Sequence, residues 1–241
     1  MRFFHTDEGK IEQKPVTVII PAAGSSRRMG GINKLLLPLD GIPVLIRTLM
    51  VFQECSAIDR IILVCRESDI GEYYSLCKEY ELNKVFKIAI GGDTRDASVL
   101  AGLYQCPEEC QWVAVHDAAR PFITEAVILD TIAKAQTYGA AAPVVPMKDS
   151  IKKVKDGKIV ENVAREELGA VQTPQIFQKQ TLIEALELVK ENGYAVTDDC
   201  SAVEYLGLQV AVSCGSYENI KVTTPEDIYL GEAILKHRRG E

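Results

Sequence analysis

Several common classes of protein are excluded by what this chain has little of. Its seven cysteines stand at 55, 65, 77, 106, 110, 200 and 214, and no two of them form a C-x-x-C pair. Their number is odd and several lie within apolar runs, which fits a reducing compartment and buried thiols rather than a disulfide framework. The three histidines, His5, His116 and His237, are far apart and give no metal-site spacing. His116 itself is expected to be a satisfied residue at a strand end. The N-terminus MRFFHTDEGKIEQK has no apolar core followed by a cleavage site, which argues against secretion. No apolar run approaches the ~20 residues of a membrane helix. A net charge of −7 argues against general nucleic-acid binding, which needs a basic face. The expected location is the cytoplasm, with neither membrane nor nucleic acid as partner.

Two familiar nucleotide loops are also missing. The small-residue stretch after the first strand candidate lacks the G-x-x-x-x-G-K-[ST] of a Walker loop, and Ser26 stands where a dinucleotide fingerprint needs its second glycine. What stands there instead is Val16 to Leu37, VTVIIPAAGSSRRMGGINKLLL. Val16 to Ile20 is the apolar run of a buried strand. From Ala22 to Ser26 nothing bulkier than a methyl or hydroxymethyl group intervenes, so main-chain N–H groups can approach a ligand closely. Arg27, Arg28 and Lys34 add positive charge, and the planar fork of arginine suits phosphate oxygens. A loop after the first strand is where an open α/β sheet holds a phosphorylated ligand. Taken alone, the stretch is equally compatible with a solvated surface loop.

The remainder of the 241 residues, 47% hydrophobic and 25% charged, has the composition of an ordinary globular protein. Residues 1–14 are a polar lead-in, and 15–241 show no linker and no internal repeat. Asp40-Gly41 is a turn signal, and Pro43 suits a first helical turn before Leu45, Leu49 and Phe52. Strand candidates at Ile58–Cys65, Val85–Ile90 and Gln111–His116 alternate with helical segments, which predicts a mainly parallel sheet wrapped by helices. Asp117 follows the strand at 111–116, where ligands of such sheets collect, so it could serve a metal or simply close a turn. Thr124 is expected to cap a helix, and Ala140–Val145 to form another buried strand. Met147 to Leu168 is charged and is split by Asp156-Gly157, a strong hairpin signal. So polar a ribbon has little apolar area of its own and is expected to pack elsewhere, on a partner subunit or its own domain. Gln178–Lys190 is a helix, Thr197 is the expected N-cap of the next, and Leu208–Ser213 is a late strand. Thr224-Pro225 opens the last helix.

Eight segments, PAAGSSRRM (21–29), NKL (33–35), GGDTRDASV (91–99), HDAARPF (116–122), MKDS (147–150), TPQIF (173–177), TDDCSAVEYLG (197–207) and NIKVTTPED (219–227), run in the order of one family. Together they resemble the 2-C-methyl-D-erythritol 4-phosphate cytidylyltransferases of nonmevalonate isoprenoid biosynthesis. The resemblance implies an α/β, Rossmann-like fold: a mainly parallel twisted sheet flanked by helices, with a protruding β-arm that interlocks two subunits into a homodimer. It implies transfer of cytidylate from CTP to a sugar-alcohol phosphate with release of pyrophosphate, assisted by Mg2+. By position, Ala22, Ala23, Gly24, Gly92, Asp93 and Ser98 would bind the nucleotide, and Arg28 and Lys34 would grip the triphosphate. Asp117 would contact the metal or the substrate, and Arg120 closes the same motif. Ser150 and Arg165 on the arm would meet the second substrate in the neighbouring subunit's site, and Thr197 and Lys221 would complete the pocket. Asn33, Ser25-Ser26 and Ser150 depart from residues common in the family, without removing a charge or donor the chemistry needs.

The implied nucleophile is a phosphate monoester, already anionic at neutral pH. It needs no general base, so the lack of a Ser-His-Asp or paired-carboxylate arrangement is consistent with the reaction. Two other readings compete: a cytidylyltransferase acting on ribitol 5-phosphate, whose counterparts of PAAG, DAARP and TDD-x-SAVE look different, and a nucleotide-sensing module without catalysis, against which Arg28, Lys34 and Asp117 speak.

Overall fold

The computed structural model describes residues 14–24 and 33–241. Its organising strand is β1 (Val16–Pro21), whose Val16, Val18, Ile19 and Ile20 are fully buried. Because successive side chains of a strand face opposite ways, Val18 and Ile20 enter one apolar cluster and Ile19 the other. Such a strand is buried on both faces, as parallel sheets require.

A short hairpin follows, β2 (Pro38–Leu39) and β3 (Ile42–Pro43), turning at Asp40 and Gly41 with φ of 50° and 78°. Pro43 caps α1 (Val44–Glu54), one residue before the helical turn expected for it. Next come β4 (Ile58–Cys65), α2 (Ile70–Glu79), β5 (Val85–Ile90), α3 (Arg95–Leu103) and β6 (Trp112–Val115). β4 pairs parallel with β1 and β5, while β6 lies parallel on the other side of β1. The chain therefore steps outward from β1 and then returns past it, which leaves a crevice at the carboxyl ends of β1 and β6.

The second half is mixed. After α4 (Glu125–Tyr138) comes β7 (Ala140–Pro146), then the separate hairpin β8 (Ile151–Lys155) and β9 (Lys158–Val163). β10 (Gly169–Val171) and β11 (Gln175–Gln178) both run antiparallel to β7, and β11 is also antiparallel to β6. Helices α5 (Lys179–Asn192) and α6 (Asp199–Glu204) lead to β12 (Ala211–Cys214), parallel to β7, and α7 (Pro225–Arg239) ends the fold. One cluster joins α1, α2, α4 and α7 to the sheet, the other α3, α5 and α6. The sheet is thus flanked by helices on both faces.

The hairpin turns at Asp156-Gly157, with φ of 49° and 74°, as the two-residue turn requires. Of the two capping expectations, one holds in position and the other needs correction. Thr124 occupies the N-cap of α4 without a side-chain capping bond. The cap of α6 is Asp198, not Thr197: its carboxylate accepts from Ser201 N–H at 2.9 Å, and Ser201 Oγ accepts from Asp198 N–H at 3.2 Å. Aspartate satisfies the exposed helix N–H groups and complements the helix dipole as well, so it displaces its neighbour.

α3 lies close enough to the sheet that a Cβ on Gly102 would come within 2.7 Å of Ile19 Cγ2 and 2.9 Å of Val64 Cγ2. Both neighbours are fully buried and β-branched, so neither can swing away. Gly102→Val is expected to cost ~1–3 kcal/mol through overpacking, measured as a lower urea midpoint with unchanged m. An unshifted midpoint would show that the helix can ride outward freely.

Candidate active site

The crevice at the carboxyl ends holds a cavity of about 560 Å³. Pro21 to Gly24 form one side, following β1, and Ala22 N–H donates to Val64 O at 2.6 Å, which anchors the start of the loop. Gly92, Asp93, Thr94, Arg95 and Ser98 form a second side, from the end of β5 into α3. A Cβ on Gly92 would sit 2.6 Å from Ala97 Cβ, so only glycine allows this tight approach to the helix. Ser98 Oγ accepts from Gly92 N–H at 3.1 Å and lies 2.9 Å from Thr94 O, and it braces that turn from within.

Asp117, Ala118 and Ala119 line the floor beyond β6, and three main-chain groups of this turn are tied to other segments. Asp117 N–H donates to Thr173 Oγ1 at 3.1 Å, Ala118 O accepts from Thr48 Oγ1 at 2.9 Å, and Ala119 O accepts from Val222 N–H at 2.8 Å. Beneath them His116 is fully buried, with Nε2 3.1 Å from Arg120 O and Nδ1 3.0 Å from Thr173 Oγ1. A carbonyl can only accept, so Nε2 carries the proton and Nδ1 accepts from the threonine. Burial pushes the imidazole down to about 4, which keeps it neutral. It is the satisfied strand-end residue expected of it.

Three cations surround the Asp117 carboxylate. Lys221 Nζ lies 2.8 Å from Oδ2, Arg120 Nε 3.5 Å from Oδ2, and Arg95 Nε 3.8 Å from Oδ1. Burial alone would raise this carboxyl, but Lys221, Arg95 and Arg120 together outweigh it and hold it far below the usual carboxylate range. Asp117 is thus a fixed anion. Arg95 also reaches the buried Asp199, with Nη2 2.7 Å from Oδ2, and so links α3, β6 and α6. Asp199 Oδ1 has no hydrogen-bond partner. Lys34 Nζ donates to Val222 O at 2.8 Å across the cavity mouth. Lys34, Arg95 and Lys221 stand against Asp93 and Asp117, so the described lining carries an excess of positive charge.

A model of the 2-C-methyl-D-erythritol 4-phosphate cytidylyltransferase family matches residues 16–237. The chain belongs to that family. A relative of that name from Bacillus licheniformis is 45% identical over 226 residues, covering 93% of this chain and 97% of its own length. One from Bacillus cereus is 44% identical over 221 residues, covering 91% of this chain and 97% of its own. A 4-diphosphocytidyl-2C-methyl-D-erythritol synthase structure from Anaerococcus prevotii superposes with a TM-score of 0.83 at 31% identity, covering 94% of this chain and 98% of that one. A cytidylyltransferase of the same family from Thermus thermophilus gives 0.74 at 29% identity, covering 90% and 98%.

The residues that the family resemblance implies fall into four groups. Ala22, Ala23, Gly24, Lys34, Gly92, Asp93, Ser98, Asp117 and Lys221 converge on the cavity. Arg120 stands behind Asp117 and donates to Asn219 O at 2.7 Å, bracing the floor without lining it. Ser150 and Arg165 are exposed at the base of the hairpin, and Thr197 is exposed beside α6, all away from the cavity of their own chain. Arg28 lies outside the described residues. Sequence reasoning assigned nothing to Arg95, Thr223 or Asp199. Arg95 lay inside the quoted GGDTRDASV segment, but only the meeting of three distant segments gives it a role.

Removing the Arg95 guanidinium would leave Asp199 as an uncompensated buried charge. Arg95→Met is expected to lower stability by ~2–4 kcal/mol, discounted for a guanidinium that is one-third exposed. Adding Asp199→Asn to that variant should recover much of the loss in a double-mutant cycle of urea midpoints. Strictly additive losses would mean that the two charges do not support each other.

Proposed function

We propose that this cavity joins CTP to 2-C-methyl-D-erythritol 4-phosphate, giving 4-diphosphocytidyl-2-C-methyl-D-erythritol and pyrophosphate, a step of nonmevalonate isoprenoid biosynthesis. The observation that carries the reading is the convergence of the family's small-residue and cationic segments on one crevice at the carboxyl ends of β1 and β6.

The nucleotide would enter along Ala22–Gly24 and Gly92–Ser98, where the close-packed glycine turn leaves the main chain accessible. The phosphate of the second substrate attacks the α-phosphorus in line with the departing pyrophosphate. Since it arrives ionised, this chain's task is to neutralise two anions and align them. Lys34 meets the triphosphate at the mouth, and the family resemblance assigns Arg28 to the same ligand. Lys221 is held by Asp117 and directs its remaining donors towards the incoming phosphate. Arg120 and Arg95 keep Asp117 ionised, so that Lys221 has a fixed seat.

Mg2+ binds such sites through one or two carboxylates and takes its other ligands from phosphates and water. Asp117 Oδ1 is the oxygen that would serve, since Lys221 Nζ and Arg120 Nε are paired with Oδ2 and Arg95 Nε stands 3.8 Å from Oδ1. Among the described residues no cluster of three or more acidic, histidine or cysteine side chains forms a cage of its own. When bound, the ion would neutralise phosphate charge. We read the β8–β9 hairpin as the dimerisation arm, since Val154, Ile159 and Val160 are 63%, 69% and 54% exposed on it. In that arrangement Ser150 and Arg165 would serve the partner subunit's cavity. No described helix is long and apolar enough to cross a membrane, and the cytoplasm is our assignment.

Pyrophosphate release should require CTP, 2-C-methyl-D-erythritol 4-phosphate and Mg2+ together, and chelation with EDTA should abolish it. Release with ribitol 5-phosphate at a comparable kcat/KM would overturn the substrate assignment. Lys34→Ala is expected to lower kcat ~10²–10³-fold with the fold intact. Arg165→Ala should raise the KM for the sugar-alcohol phosphate more than that for CTP, and an equal rise in both would count against a site shared between subunits.

A further inference from the structure

Tyr73, on α2, has no exposed surface and carries a hydroxyl into the core. A phenol buried that completely needs a hydrogen-bond partner for its oxygen. The partner comes from the turn ahead of β2: Asn33 Nδ2 donates to Tyr73 Oη at 3.0 Å. The rest of Asn33 faces its own turn, where Oδ1 accepts from Leu35 N–H at 3.2 Å and the main-chain carbonyl accepts from Leu36 N–H at 3.0 Å. A main-chain N–H can only donate, so the amide atom facing Leu35 is the oxygen, and the nitrogen is the one that faces the phenol. Both ends of the Asn33 side chain are therefore committed.

Lys34 stands between two anchors. Behind it, Asn33 is tied to α2. Ahead of it, Leu35 is buried, and its carbonyl accepts from Leu45 N–H, in α1, at 2.9 Å. From this base the Lys34 side chain reaches Val222 O at 2.8 Å across the cavity mouth. Lysine carries its charge on a flexible four-carbon stem, so the place of its ammonium depends first on where its main chain is held. We propose that the Tyr73 hydroxyl, acting through Asn33, is a positioning group for Lys34: it locks the turn at 33–36 so that the ammonium is aimed at the phosphates before they arrive. The inference rests on the reading of Lys34 as the cation that meets the triphosphate. A cation fixed in advance needs no reorganisation at the moment of reaction, whereas a misplacement of about 1 Å can cost ~10²-fold in rate. Tyr73 does not line the cavity and lies 40 residues along the chain from Asn33, so the contact belongs to the folded protein alone.

Tyr73→Phe keeps the ring in the core and removes only the hydroxyl. In the full chain, amide hydrogen exchange at Leu35 and Leu36 should quicken ~3–10-fold, the worth of one neutral hydrogen bond, while the amides of β1 keep their rates. In steady-state pyrophosphate release, kcat should fall ~3–10-fold with the KM for 2-C-methyl-D-erythritol 4-phosphate unchanged. Because the hydroxyl acts through Lys34, adding Tyr73→Phe to Lys34→Ala should lower kcat no further. A hydroxyl with a merely structural role would multiply the two losses, and that result would overturn the proposal. So would unchanged exchange at Leu35 and Leu36, or an unchanged kcat in Tyr73→Phe beside a crippled Lys34→Ala. Each of these leaves the reading of Lys34 standing. An undiminished kcat in Lys34→Ala, or no turnover by the unaltered protein, would remove that reading and the positioning role together.

Discussion

A carboxylate ringed by three cations holds this site together. Asp117 sits at the end of β6, only 12% exposed, and draws Lys221, Arg120 and Arg95 from three separate parts of the chain. A buried charge of this kind is tolerated only when it is paired and hydrogen-bonded. Each cation therefore brings its own segment into register. Lys221 ties down the irregular run before α7, Arg120 the turn itself, and Arg95 the first residue of α3. Through Asp199, Arg95 extends the same restraint to α6. The cavity is the space these restraints leave open.

The wall opposite works by the reverse principle. Along Ala22–Gly24 and Gly92 side chains are small or absent, so main chain and van der Waals surface line the cavity. Fixed charge comes from the other side of the cavity, through Lys34 and Lys221. This division suits a reaction between two phosphates. The nucleophile carries its own negative charge, and a histidine base would have no proton to remove. His116, the one histidine nearby among the described residues, is kept neutral by burial and spends both ring nitrogens on holding the floor.

Local patterns carried much of the fold. The apolar run Val16–Ile20, the turn dipeptides Asp40-Gly41 and Asp156-Gly157, and the strand–helix rhythm as far as β6 all depend on nearest neighbours and on burial of both sheet faces. The second half was harder to read. β11 and β10 run antiparallel to β7, a pairing set by which long-range partner is free rather than by the strands' own residues. Thr197 and Asp198 are both good caps in isolation. Asp198 prevails because its carboxylate also receives a hydrogen bond from Gln175 Nε2 at 2.8 Å, a contact 23 residues away in sequence.

The sequence by itself determined the chemistry available: a small-residue, cationic loop after the first strand, an Asp at a strand end, a lysine ahead of the last helix, and a family order of motifs that names the reaction. Tertiary structure alone decided which of these meet. Arg95 became central because α3 packs over β1 and turns its first residue towards both Asp117 and Asp199. Arg120 became a brace because the same turn points it at Asn219 O. Charges act through space over a few ångströms, and a linear sequence does not record those distances.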